Sequence, residues 1–316
     1  MKKLAITTAL SMLAIQAPAL LVGLHLLDAA AQTCPPGCTA TTPAPTPTPT
    51  PPPGGGGAWW KPTGEALEFQ WFIAASLKTD NAKHMGTGKT AYDGAKPPKT
   101  DPKVYDLDGF ENSKQVVADL HAAGHKVVCY MEVGGAENYR DDYNDFPPEA
   151  LGKNMAGWPG EKWLDIRHPE VPPIIKKRIK MCADKGFDAI EPDLDTSYVE
   201  PTGFDLKKAD EIAYMKDLAE YAHSLGLAMW GKNPDSTGDS FSQDMVDTFD
   251  AVLTEECGQY NTCGLLKPYT AAGKLVFEAE YAIGTDRFCP AANEKAGWMG
   301  TRFNVDLNGG KREPCK

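Results

Sequence analysis

Eight short runs rich in Val, Ile, Phe and Tyr recur along the chain, and their alternation with helix-period segments restricts the fold more than any other feature. The runs are LEFQWFIA (67–74), KVYDLD (103–108), KVVCYMEV (126–133) and FDAIEPD (187–193), then LAMWGKN (227–233), FDAVLTEE (249–256), KLVFEAEY (274–281) and TRFNVDL (301–307). Helical patterns occupy 113–123, 171–185, 206–224, 240–246 and 264–272. Gly124, Gly186, Gly226 and Gly273 each follow such a pattern, where a left-handed residue ends a helix. Strands alternating with helices predict a parallel sheet. Eight is the closure number of a (β/α)8 TIM barrel, so a single α/β barrel domain is expected. The rival, an open doubly wound sheet, calls for a glycine-rich phosphate loop after the first strand, and none is present.

The barrel takes the residues from 58 to 316, about 260 in all, which is the usual length for this fold. Ahead of it, residues 1–31 read as a secretory signal peptide: two lysines, an apolar stretch and the small-residue run Ala29-Ala30-Ala31. An uncleaved anchor is the alternative, but Gln16, Pro18 and His25 interrupt the apolar stretch. Residues 32–57 form a Cys-containing Thr/Pro/Gly-rich linker that favours extended polyproline II. No later segment is apolar enough to span a bilayer, so the mature protein is expected to be secreted, monomeric and without stable membrane association. Eight cysteines in an exported chain predict oxidised pairs. Short spacing suggests Cys34–Cys38 and Cys257–Cys263; Cys289–Cys315 would staple the tail, leaving Cys129–Cys182. No zinc-type clustering of Cys and His is present. The net charge of −11 argues against a nucleic-acid partner and is compatible with a cationic substrate.

Strands buried on both faces should be apolar throughout, yet several of these end in polar groups. The ends carry Asp106 and Asp108, Tyr130 and Glu132, Glu191 and Asp193, Lys232 and Asn233, Glu255 and Glu256, and Glu280 and Tyr281. The C-terminal rim of a barrel holds the active site, so Asp106, Tyr130, Glu191, Lys232, Asn233, Glu280 and Tyr281 are expected to touch substrate. Asp195 and Tyr198, on the loop after the fourth run, join them; a plain capping role is the alternative there. Lys232 suits a partner of a neighbouring carboxylate better than a Schiff base. Asp188 opens its strand, at the opposite end from the rim. Glu255 and Glu256 are adjacent, so only one can point inward. Two carboxylates reaching one site from different strands, Asp193 and Glu255, suit glycoside hydrolysis by a proton donor and a nucleophile or base. A metal site finds less support: DLDTSY lacks the glycine and final Glu of an EF-hand loop, and the six histidines are scattered. In GWPGEKWLDIR (157–167), Trp163 is the candidate for stacking on a sugar ring.

The motifs YDLD, KVVCYMEVGGAENYRDD, GWPGEKWLDIR, GFDAIEPDLDTSY, WGKN, EECGQYNTC and FEAEY, in this order, resemble the endo-α-1,4-polygalactosaminidase family, glycoside hydrolase family 114. The resemblance runs from about Trp59 to Tyr281. It implies a (β/α)8 barrel that cleaves within α-1,4-linked galactosamine and N-acetylgalactosamine polysaccharide without a cofactor or metal. It also implies a catalytic pair of Asp193, as nucleophile or stabilising carboxylate, and Glu255, as general acid/base, with retention favoured. Two positions depart from the family pattern: Glu256 stands where Gln is more common, and Glu132 where a small polar residue is usual. A partly deacetylated galactosaminan is cationic, which matches the acidic rim. The competing classes are a non-catalytic carbohydrate-binding barrel and a metal-dependent hydrolase on the same fold.

Overall fold

The computed structural model describes residues 58–87 and 101–315. The expected signal peptide and linker, and the expected Cys34–Cys38 pair, lie outside the described residues. In chain order the strands are β1 (Phe69–Phe72), β2 (Val104–Asp108), β3 (Lys126–Glu132), β4 (Gly135–Glu137), β5 (Leu151–Asn154) and β6 (Glu161–Leu164). They continue with β7 (Ala189–Asp193), β8 (Ala228–Lys232), β9 (Ala251–Glu255), β10 (Val276–Glu280), β11 (Trp298–Phe303) and β12 (Arg312–Pro314). The helices are α1 (Lys114–Ala122), α2 (Val171–Lys185), α3 (Lys208–Ser224), α4 (Phe241–Asp244), α5 (Cys257–Tyr260), α6 (Lys267–Ala271) and α7 (Thr285–Asn293). Eight strands, in the order β1-β2-β3-β7-β8-β9-β10-β11, pair in parallel to form the expected barrel. The eighth begins three residues earlier than the sequence suggests. Asn304 ends it by accepting from the Lys311 amide and donating to Asn308, which turns the chain.

Local signals explain the helices. Proline at the start of α2 costs no intrahelical bond, and Gly186 ends that helix at φ 91°. Ser113 accepts from the Val116 amide to cap α1. Asp210 in the first turn of α3 accepts from the Lys207 amide. Strand alternation then separates two cores. Phe69, Trp71, Val128, Trp230, Leu253 and Phe277 fill the lumen. Leu107, Met131, Ile190, Met229 and Val276 face outward to Ile175, Ile179, Met215 and Leu218 of the helices. At the base, Asp188 accepts from the Val127 amide, His121 and Lys126, and Asp250 accepts from the Met229 amide, His223 and Trp59. Asp188 is therefore an anchor between strand starts, far from the rim.

Three disulfides follow the expected pairing. Cys129–Cys182 ties β3 to α2, Cys257–Cys263 closes the loop after β9, and Cys289–Cys315 ties α7 to the tail. One structure was not foreseen: between β3 and α2 the chain leaves the barrel to form an antiparallel sheet ordered β4-β6-β5. Gly134 permits the exit, since a Cβ there would lie 2.2 Å from the Leu194 carbonyl oxygen.

β12 pairs antiparallel with β11 and carries the residue that joins the barrel's seam to β1. The fully buried Arg312 guanidinium donates to the Phe69 carbonyl at 2.8 Å and the Gly86 carbonyl at 3.4 Å, and pairs with the Glu68 carboxylate. The Ile73 amide adds a bond to the Leu307 carbonyl at 3.2 Å. Arg312→Ala strands the buried Glu68 and two carbonyls, so urea denaturation should show a loss of about 3–5 kcal/mol. A loss under about 1 kcal/mol would mean that the seam does not depend on this residue.

Candidate active site

The residues facing the lumen change character toward the rim. Ala189, Ala228 and Ala251 are lumen-facing near the strand starts, so the side chains two and four positions later share that face. The result is a floor of Glu191 and Trp230 under Asp193, Lys232 and Glu255. Asp106 and Tyr130 enter at the same face from β2 and β3, with Asp106 packed against Glu191 and Tyr130 its ladder partner.

Lys232 is the hub. Its buried Nζ lies 3.1 Å from Asp193 Oδ1, 3.2 Å from Glu255 Oε2 and 3.2 Å from Glu191 Oε1. It also stands 4.8 Å from the centre of the Trp71 ring, which forms one wall. Burial opposes the charge on Lys232, but Asp193, Glu255 and Glu191 outweigh it and hold the amine well above the usual lysine value. Below it, burial and the adjoining Glu191 raise Asp106 well above the carboxylate range. Burial also pushes Glu191 up to about 7, against the pull of Lys232. Both carboxyls of that pair are thus pushed toward holding a proton, which limits the negative charge under the site.

The two outer carboxylates are the ones open to solvent: the side chains of Asp193 and Glu255 are 23% and 28% exposed, against 0% for Glu191. Each is held on both oxygens. Asp193 Oδ2 accepts from the Tyr130 hydroxyl at 2.9 Å, and Oδ1 accepts from Lys232 and from the Leu194 amide at 3.1 Å. Glu255 Oε1 accepts from the Tyr281 hydroxyl at 2.5 Å, and Oε2 from Asn233 Nδ2 at 3.0 Å. The Asn233 amide oxygen also accepts from the Glu255 backbone N–H at 2.7 Å, so one side chain fixes both ends of that residue. Because Asp193 Oδ1 and Glu255 Oε2 lie 3.1 and 3.2 Å from one atom, they are at most the sum of those distances, 6.3 Å, apart.

The backbone repeats one device at these three strand ends. Leu194, Asn233 and Glu256 directly follow Asp193, Lys232 and Glu255, and all adopt left-handed φ values of 66°, 48° and 56°. Asn tolerates that conformation, whereas Leu and Glu do not favour it. The turn sends the chain off the barrel immediately after each polar residue. It also settles which adjacent glutamate points inward: Glu256 starts α5 and accepts from Gln259, while Glu255 enters the site.

Not every expected residue arrives there. Asp195 is fully buried behind the site, where it accepts from the Lys232 backbone N–H at 2.9 Å. Tyr198 donates to Asp239, linking the loops after β7 and β8. Glu280 belongs to the outer face, because Phe277 and Ala279 occupy the lumen and alternation turns Glu278 and Glu280 toward the helices. There Glu280 accepts from the Gly258 amide at 2.7 Å, beside Glu278, which accepts from Trp298 Nε1 at 2.6 Å. Trp163 is buried in β6 opposite Gly135, with 7% exposure. Trp71, by sequence a weaker stacking candidate than GWPGEKWLDIR, forms a wall of the site; its place one step before the end of an inward-facing run is the signal that favours it.

Comparison with known proteins places the chain in a family. The chain belongs to glycoside hydrolase family GH114, whose sequence pattern it matches over residues 50–311, and it is a glycoside hydrolase. It is similar to Ega3 of Aspergillus fumigatus, solved in complex with galactosamine: 28% identical with a TM-score of 0.69, covering 80% of this chain and 97% of that one. The glycoside hydrolase domain of PelA from Pseudomonas aeruginosa shares the fold at 13% identity, with a TM-score of 0.55 over 76% of this chain and 96% of that one. An uncharacterised protein of Methanocaldococcus jannaschii is 26% identical over 131 residues, so the match spans 38% of this chain and 38% of that protein.

The buried carboxyls set a pH dependence of stability. Burial pushes Glu280 up to about 8 from the ordinary 4.5, so the folded state binds more protons than the unfolded state between those values. Its contribution to stability therefore falls as pH rises through this window. Glu280→Gln should flatten that loss, raising Tm relative to wild type at pH 8.5 and changing it little at pH 5. Parallel Tm–pH curves for the two proteins would contradict the assignment.

Proposed function

We propose that the protein is an extracellular, endo-acting hydrolase of α-1,4-linked galactosamine-containing polysaccharide, which uses Asp193 and Glu255 with retention of configuration. The observation that carries this reading is the pair of solvent-open carboxylates bridged by the Lys232 ammonium, their nearer oxygens within 6.3 Å. Retaining enzymes hold their carboxyls about 5–5.5 Å apart, whereas inverting enzymes need about 6.5–9.5 Å to seat a water between them. In this scheme Asp193 attacks the anomeric carbon while Glu255 passes a proton to the departing glycosidic oxygen, forming a glycosyl ester on Asp193. Glu255 then takes a proton from water, whose oxygen displaces Asp193 and frees the second product. The fixed Leu194 N–H donor suits an anionic Asp193. The Tyr281 hydroxyl can donate to Glu255 as a carboxylate or accept from it as an acid, which suits a group that exchanges a proton.

The substrate assignment draws on the likeness to the galactosamine-bound Ega3 and on the motif set. A net charge of −11 favours a cationic polymer. Three disulfides in the described fold and the signal-like start support export.

Reducing ends released from polygalactosamine by wild type, Asp193→Asn and Glu255→Gln provide the test. Each variant should lose about a thousandfold in kcat while keeping its near-UV circular dichroism. Equal release by all three would eliminate the catalytic pair and favour a binding-only barrel. Exhaustive chelation should leave activity intact; its loss, restored by a divalent cation, would favour the metal-dependent alternative.

A further inference from the structure

The β4-β6-β5 sheet carries a second concavity that the catalytic site does not use. The turn joining β5 to β6 presents Trp158, 45% exposed, at the edge of a pocket of about 390 Å³. Tyr143, Asn138, Asn154, Met155 and Lys162 line it together with the turn residues. The turn is built rather than slack: the Trp158 amide donates to the Met155 carbonyl at 3.3 Å, and the Trp158 carbonyl accepts from the Glu161 amide at 3.2 Å. The Asn138 amide donates to the Gly160 carbonyl at 2.9 Å. Gly160, at φ 100°, leaves room for the Asn138 side chain where a Cβ would lie 2.6 Å from its Oδ1. A backbone held this firmly fixes where the half-exposed indole stands beside the pocket.

The chemistry of the pocket differs from that of the catalytic site. An indole and a phenol offer flat faces for the apolar side of a pyranose ring, and two side-chain amides match hydroxyl and acetamido groups. Its one charged residue is Lys162, and no carboxylate lines it. An ammonium would be repelled there, whereas Asp193 and Glu255 would attract one. The pocket also stands on the same rim. β3 runs from Glu132, the ladder partner of Asp193, through Gly134 and Gly135 directly into β4.

We propose that this pocket is a second saccharide subsite, which takes an uncharged, N-acetylated hexosamine residue of the same polymer whose amine-bearing residues are drawn to the catalytic site. The inference rests on the polysaccharide-hydrolase reading above. It makes Trp158 the sugar-stacking residue of the GWPGEKWLDIR segment and Lys162 the discriminator against free amines.

Calorimetric titration of the uncleaving Asp193→Asn protein with α-1,4-linked N-acetylgalactosamine and galactosamine oligomers tests it. Adding Trp158→Ala should weaken the acetylated oligomer about tenfold and the deacetylated one less than about twofold. Adding Lys162→Glu should shift the preference toward the deacetylated oligomer. In the active protein, Trp158→Ala should raise KM on partly acetylated polymer and leave kcat unchanged. If both variants bind both oligomers within about twofold of the parent, the subsite does not exist. If these binding shifts appear but wild type releases no reducing ends, the hydrolytic reading fails and the subsite stands.

Discussion

The buried ammonium of Lys232 is the interaction on which the rest of the site depends. Three carboxylates, from Glu191, Asp193 and Glu255, lie within 3.2 Å of its nitrogen, in a lumen too tight to hold so many like charges without a counterion. Burial and Glu191 raise the proton affinity of Asp106, which limits the negative charge of the floor. What is left is a lysine that draws two carboxylates from nonadjacent strands to one point and sets the distance between them. Asp195 fixes the lysine's own backbone from behind.

Aim is supplied by the backbone. Three strands, β7, β8 and β9, each end on an inward polar residue followed at once by a left-handed one. For Leu194 and Glu256 this conformation costs about 1–3 kcal/mol each. The ladder offsets part of that cost, since the Asn233 and Glu256 amides still bond to Leu253 and Ala279 of the neighbouring strands. Strain at these positions is consistent with stability being given up where orientation matters most.

Much of the fold was legible because the two signals that specify it are local. Apolar runs of strand length and helix-period segments ending in glycine recur in order, and their count fixes closure. Asp188 at the base and the polar strand ends with Asp193 and Lys232 were legible from position along the runs, and the three described disulfides from spacing and elimination. Parity left open whether Glu255 or Glu256 points inward, and the resemblance supplied that choice. The place of Glu280 was not legible, because FEAEY places acids on alternate positions of a strand apolar on both faces, and the sequence does not say which face is the lumen. The β4-β6-β5 sheet was hidden because its strands are three or four residues long and rich in Gly, Lys and Glu. That sheet also decides the fate of the tryptophans near it, burying Trp163 and exposing Trp158 five residues earlier. Arg312 gave no sequence signal at all; its importance comes from the seam, which exists only once the barrel has closed.

The proposed carboxylate pair has a stereochemical consequence. In the proposed mechanism, two carboxylates drawn to one lysine act in the retaining manner, and hydrolysis passes through a glycosyl ester on Asp193. The measurement is the proton NMR spectrum of the first products formed from an α-1,4-galactosamine oligomer, recorded before mutarotation. The account predicts that the new reducing end appears as the α anomer. A β anomer formed first would contradict it and would point to inversion.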